Sequence, residues 1–150
     1  MKENSLYDKK SLREITGKSA DWNEVAKDCV AFSNAQGGVI DYGIEDDADA
    51  PPANQKVSED IAINLENKIS GKTLNVSAHA EILTHENGGQ YIRLHIARGT
   101  FSASTTSGKY FTRISDNSVP LTGDDITRLS AEKGLLSLGR RGEQMELERC

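Results

Sequence analysis

Only two cysteines and three prolines occur in 150 residues, and aromatic side chains make up 5% of the chain. Each scarcity excludes something. Cys29 falls on the apolar side of a helical repeat and Cys150 is the last residue, so a disulfide framework has nothing to build on. Neither cysteine has a histidine or a second cysteine at metal-ligating spacing, which argues against zinc. No hydrophobic run approaches the length of a membrane span and no apolar signal segment opens the chain. The expectation is a cytoplasmic protein with no membrane partner. A net charge of −5 argues against a general electrostatic coat for DNA, which needs concentrated positive charge. Serine-hydrolase and P-loop chemistry also lack their motifs: there is no Gly-x-Ser-x-Gly elbow and no complete Walker-type phosphate loop.

What is present suits one domain with a core. Residues 1–20 have weak periodicity and read as an arm or short helix, with Tyr7, Leu12 and Ile15 available to pin it to the body. Trp22, Val25, Cys29 and Phe32 recur three and four apart, which predicts a helix over 22–35. Asp21 and Glu24 have capping-box spacing at its start. Gly37-Gly38 turns the chain into a strand over 39–44, and Pro51-Pro52 marks residues 45–56 as a loop. A second helix starts at Ser58, buries Ile61, Leu65 and Ile69, and closes at Gly71. Residues 74–84 alternate as one half-buried strand. Asn87-Gly88-Gly89 turns it into a return strand whose inner face is Ile92, Leu94 and Ile96. Residues 99–108 read as a small polar loop, a lid if the domain binds a small molecule. Tyr110 to Ile114 form a short strand. Thr122-Gly123-Asp124-Asp125 opens a helix that holds Ile126 and Leu129 and stops at Gly134. The fold class is α+β: a mixed, mostly antiparallel sheet of about four strands with packed helices over residues 1–135, then a charged tail or linker start over 136–150.

Charge is distributed unevenly. Residues 1–18 carry five bases against three acids, whereas residues 41–60 carry seven acids against Lys56 alone. Lys9, Lys10, Arg13 and Lys18 are the candidates for phosphate contacts, as point charges and a guanidinium fork, unless they are simply a solvated arm. Glu45, Asp46, Asp47 and Asp49 follow a strand end. They are either a hydrated acidic loop or a set of hard oxygen ligands for magnesium or manganese. It is not an EF-hand loop, whose glycine and distal glutamate are missing. Tyr110 can stack on an unpaired base and Arg113 can hold phosphate. Packing of Tyr110 or Phe111 into the core is the competing use. His79, His85 and His95 lack a ligand pattern, although His79 and His95 fall on matching faces of the hairpin.

The run Ala31-Phe32-Ser33-Asn34-Ala35-Gln36-Gly37-Gly38 gives these pieces a common context. With Glu14 before it, Gly43-Ile44-Glu45-Asp46 and Phe111-Thr112-Arg113 after it, and Asp124-Asp125-Ile126 last, the ordered set resembles the Schlafen AlbA-type domain over residues 10–135. The resemblance implies a nucleic-acid-binding module for RNA or DNA, with RNA the favoured partner. Some members of that family cleave transfer or ribosomal RNA with two glutamates and an aspartate. Glu14 matches the second glutamate, and Asp46 or Asp47 the aspartate; these three would be both catalytic and metal-binding, with magnesium or manganese. Where the first glutamate belongs, this chain reads Asp8-Lys9-Lys10, so the carboxylate set is incomplete. A single lobe also implies homodimerisation. The alternative is a non-catalytic dimerisation or regulatory module of a larger ATPase-like, antiviral-defence or transcription-regulating protein.

Overall fold

The computed structural model describes residues 2–134. Its centre is a four-stranded sheet in the order β1-β2-β5-β4. Strand β1 (Tyr7–Lys10) runs parallel to β2 (Gly38–Tyr42), and β5 (Gln90–Ile96) is antiparallel to both its neighbours, β2 and β4 (Ala78–Thr84). A parallel pair needs a crossover, and helix α1 (Trp22–Asn34) supplies it. The predicted mixed, mostly antiparallel sheet is therefore observed. The arm differs from expectation, because residues 7–10 are an edge strand of that sheet. Tyr7, Asp8 and Lys9 are buried there, and Leu12–Ile15 and Gly17–Ser19 follow as short 3₁₀ turns.

Side-chain alternation divides the sheet into two faces. Ile40, Tyr42, Ile92 and Leu94 point to one side and are fully buried beneath α1 and α2 (Glu59–Lys72). Val25, Cys29 and Phe32 of α1 and Leu65 and Ile69 of α2 meet them there. Helix α1 buries nine residues in all, more than one apolar stripe, because a second layer covers its other side. That layer is a hairpin of β7 (Tyr110–Ile114) and β8 (Asn117–Leu121). Strand β8 had no sequence signal: Asn-Ser-Val-Pro-Leu is polar, and it is paired on one side only, where a proline is tolerated.

Other expectations shift in detail. Helix α2 runs through Gly71 to Lys72. The expected single strand over 74–84 is broken at Asn75, whose φ is 64°. Residues Thr73–Leu74 form β3 instead, paired with β6 (Ser104–Thr105). The segment 99–108 is no lid, since Ala103, Ser104 and Thr105 are buried. Helix α3 begins at residue 124 and continues to 134. Its end, the predicted tail at 136–150 and Cys150 lie outside the described residues. Lys133 fixes α3 to the body by donating to the carbonyls of Gly99 and Ser33 at 2.7 and 3.3 Å.

The Ala31–Gly38 run now has a physical account. Asn34 closes the end of α1 onto the second layer. Its amide donates to the carbonyls of Ala103 and Phe111 at 2.9 and 2.8 Å, and its Oδ1 accepts from the Ala103 N–H at 2.7 Å. Gly38 has a φ of 155°, and a Cβ there would stand 2.5 Å from the Leu6 carbonyl and 2.7 Å from the Phe32 ring. We expect Gly38→Ala to cost about 3 kcal/mol, from backbone strain plus overpacking. Gly17→Ala, also at positive φ but in open space, should cost only about 1 kcal/mol. Urea unfolding midpoints of the two variants check the difference.

Candidate nucleic-acid interface

Three depressions that share lining residues adjoin along the β7–β8 hairpin; the second and third lie at its seam with α1, and the first meets it only at Asp116 of the hairpin turn. The first, about 390 Å³, is lined by Glu3, Lys9, Asp46, Asp47, Asp49 and Asp116, with Lys2 at its rim. The second, about 260 Å³, shares Glu3 and Asp116 with it and adds Asp8, Lys10, Asp28 and Arg113. The third is the largest at about 600 Å³. It shares Glu24 and Lys27 with the second and reaches Lys72, Lys109 and Phe111. The groove thus passes from a carboxylate-rich end to a lysine-rich end.

Elements of both layers place these side chains. Asp8 and Lys10 lie on the helix-facing side of β1, and Glu24, Lys27 and Asp28 lie three and four residues apart on α1. Arg113 faces α1 from β7. Its side chain is 1% exposed, and its Nη2 lies 3.4 Å from the Asp8 carboxylate. The guanidinium also donates to Ser118 Oγ and the Asn4 carbonyl, and it stacks 4.6 Å from the centre of the Phe32 ring. The Ser118 hydroxyl in turn donates to Asp28 at 2.7 Å. Two polar atoms here are buried without a partner, Arg113 Nε and the Tyr42 hydroxyl.

Packed carboxyls hold their protons more tightly than usual. Glu3 is raised to about 8, first by a hydrogen bond to Asp8, then by burial and the negative charges of Asp8 and Asp46. Burial raises Glu14 and Asp28, with Lys10 opposing in both cases. Burial lowers Lys10, but Asp8, Asp28, Glu14 and Glu24 outweigh it and leave its ammonium firmly charged.

The predicted residues divide between several environments. Lys9 sits beside Asp46 and Asp47, but it is buried and its ammonium donates to the Ala48 carbonyl at 2.6 Å. Lys10 lies 3.7 Å from Asp8. Arg13 and Lys18 are exposed, and Arg13 has only a distant partner in Glu45 at 4.0 Å. Arg113 is not the exposed fork the sequence suggested; it is sealed between the layers. Tyr110 is half-buried, while Phe111, one residue on, lines the largest depression. Glu14 does not line the depression that holds Asp46 and Asp47; its charged neighbours are Lys10, Asp28, Glu24 and Asp8. Among the described residues, no group of three or more His, Cys, Asp or Glu side chains is arranged to hold a metal ion. His79 and His95 stand opposite each other in register, each beside a glutamate.

Sequence reasoning missed Asp28, Lys27, Lys72 and Lys109. Asp28 left one usable signal: a charged residue set directly before the apolar run Cys29 to Phe32. The three lysines left none, because their convergence depends on how α1, α2 and the turn before β7 meet.

Comparison with known proteins agrees with this fold. The family model described as Schlafen, AlbA_2 matches residues 3–122. Among solved structures, the DIP2311 protein from Corynebacterium diphtheriae superimposes with a TM-score of 0.55 at 16% identity, over 78% of this chain. This chain spans a quarter of the length of that one, at 25%. No curated protein matches.

The raised carboxyls have a consequence for stability. A carboxyl whose folded pKa lies above its unfolded value stabilises the fold fully at low pH and loses that contribution as pH rises. For Glu3 the window runs from 4.5 to about 8. Thermal melting should therefore move to lower temperature between pH 5 and pH 8, and Glu3→Gln should shrink the shift. The effect is modest because Glu3 is partly exposed.

Proposed function

This chain belongs to the Schlafen, AlbA_2 family, and from that premise we propose that it is a nucleic-acid-binding module that takes RNA in preference to DNA. The observation that supports this most is the groove between α1 and the second layer. Its middle stretch is fixed by the buried Arg113–Asp8 ion pair and the Ser118–Asp28 hydrogen bond. Arg13 and Lys18, in the segment leading into α1, are exposed and offer positive charge to a polyanion arriving from solvent. An acidic protein can bind a polyanion this way, because local potential rather than net charge governs the encounter.

Metal-dependent RNA cleavage through Glu14, Asp46 and Asp47 is the second reading. The crowding of Glu3, Asp8, Glu14 and Asp28 favours it, since a cation relieves that repulsion. The carboxylates as placed do not fit magnesium or manganese, so they would have to close together around the ion and RNA. A third reading is a homodimerising or regulatory module in a larger protein. Its support is that the matched structure is about four times longer than the matched segment.

Binding is tested by fluorescence anisotropy with labelled single-stranded RNA at low salt. We expect saturable binding that weakens steeply with salt, and at least a fivefold loss for Arg13→Glu with Lys18→Glu. Absence of binding by the wild-type protein would remove the proposal. Transfer RNA incubated with manganese, beside Glu14→Gln, addresses cleavage: fragments formed by the wild type alone support the second reading, and intact RNA in both leaves binding only.

A further inference from the structure

The 600 Å³ depression at the lysine end holds none of the residues the sequence offered as catalytic, metal-binding or phosphate-contacting, yet it has the make-up of a ligand site. Its volume lies within the roughly 300–1,000 Å³ usual for small-molecule pockets. Lys27 comes from α1, Lys72 from the end of α2, and Lys109 from the turn before β7. Lys27 is neutralised by Glu24 at 2.8 Å, and the Asp21 carboxylate caps α1 through the Glu24 N–H. Lys72 meets only the neutral Asn23 amide oxygen, at 3.4 Å. Among the described residues neither Lys72 nor Lys109 is paired with a carboxylate. Two ammonium groups therefore converge on one cavity without a carboxylate partner; Asp21 and Glu24 also line it, so three lysines face two acids and the balance is positive.

The turn that carries Lys109 is fixed in advance. The Thr105 hydroxyl accepts from the Lys109 N–H at 3.1 Å and bonds the Ser107 hydroxyl at 2.8 Å. The Gly108 N–H donates to the Thr105 carbonyl, and the Thr106 N–H to the Lys72 carbonyl, both at 2.9 Å. This last bond ties the two lysine-bearing segments together. Thr106 and Ser107 are exposed at the rim; the Thr106 hydroxyl is available as a donor, and that of Ser107 is when Thr105 supplies the proton between them. Phe111 presents an aromatic ring in the same cavity, on the same side of β7 as Arg113 and so in line with the rest of the groove.

Cations and hydroxyls beside an aromatic ring match the two halves of a nucleotide. We infer that this cavity seats one unpaired nucleotide of a single strand, its phosphate on Lys72, Lys109 and the Thr106–Ser107 hydroxyls and its base against Phe111. The inference rests on the nucleic-acid reading above and gives it an anchor: the strand is gripped at the lysine end.

The test is fluorescence anisotropy with labelled single-stranded RNA, single-stranded DNA and a duplex of the same sequence. The variants are Lys72→Glu with Lys109→Glu, Phe111→Leu, Arg13→Glu with Lys18→Glu, and a control pair outside the groove, Lys56→Glu with Arg128→Glu. Circular dichroism melts confirm that each is folded. The seat predicts at least a tenfold loss for the Lys72/Lys109 pair, with the salt dependence of log K falling by roughly 0.7 per phosphate contact removed. It predicts about a fivefold loss for Phe111→Leu on single strands only. Wild-type binding with the Lys72/Lys109 pair no weaker than the control pair would overturn the seat and leave the broader function standing. Duplex bound as tightly as single strand, with Phe111→Leu silent, would overturn the base-stacking half. No wild-type binding to any of the three would end both proposals. Equal losses on RNA and DNA support a seat that reads phosphate and base alone, and a larger loss on RNA supports one that also contacts the ribose hydroxyl.

Discussion

A guanidinium sealed between two layers holds this protein in its working shape. Arg113 reaches from the β7–β8 hairpin across α1 to Asp8 on the edge strand, over the face of Phe32. Its neighbour Ser118 fastens Asp28 of α1 from the same hairpin. Removing the cation alone would leave buried Asp8 with Lys10, at 3.7 Å, as its remaining counter-charge, a loss of the order of 3 kcal/mol. The interaction is also a matter of placement. Hydrophobic contact alone would let the hairpin slide along α1, whereas a directed ion pair and hydrogen bonds fix one register.

The groove follows from that register. Because α1 is covered on both sides, only its first turns and their partners on β1 and β7 remain at a polar margin; the second and third depressions lie along it, and the first adjoins at the hairpin turn. Carboxylates gather at the end near the β2 exit, and lysines outnumber acids at the end near the α2 terminus. An overall charge of −5 conceals this gradient. The carboxyls of Glu3, Glu14 and Asp28 are raised along this margin, Glu3 first by its hydrogen bond to Asp8 and the other two first by burial.

Legibility in the sequence tracked how local each feature was. The β4–β5 hairpin was readable because alternation and an Asn-Gly-Gly turn act within a few residues. Helix α1 was readable from its 3.6-residue repeat and its Asp21 cap, which accepts from the Glu24 N–H at 3.1 Å as expected. The break at Asn75 was not, because the alternation continues through it while the backbone changes partner. Strand β8 was not, because a strand held by a single neighbour and a polar turn needs no hydrophobic pattern. Lys9 and Arg113 were read as solvent-facing because basic side chains usually are; burial was decided by the Ala48 carbonyl, Asp8 and Phe32, all distant in the chain.

The sequence by itself determined both long helices, strand β2, the β4–β5 hairpin, strand β7, the family pattern and the two-sided amino-terminal charge. These depend on periodicity, capping and turn chemistry, which operate over one or two turns of chain. Tertiary structure alone decided which charges are buried and spent and which stay free, and that Lys72 and Lys109 share a cavity with Phe111. Electrostatic character depends on distance in space and on access to water, and neither is written in the spacing of residues along the chain.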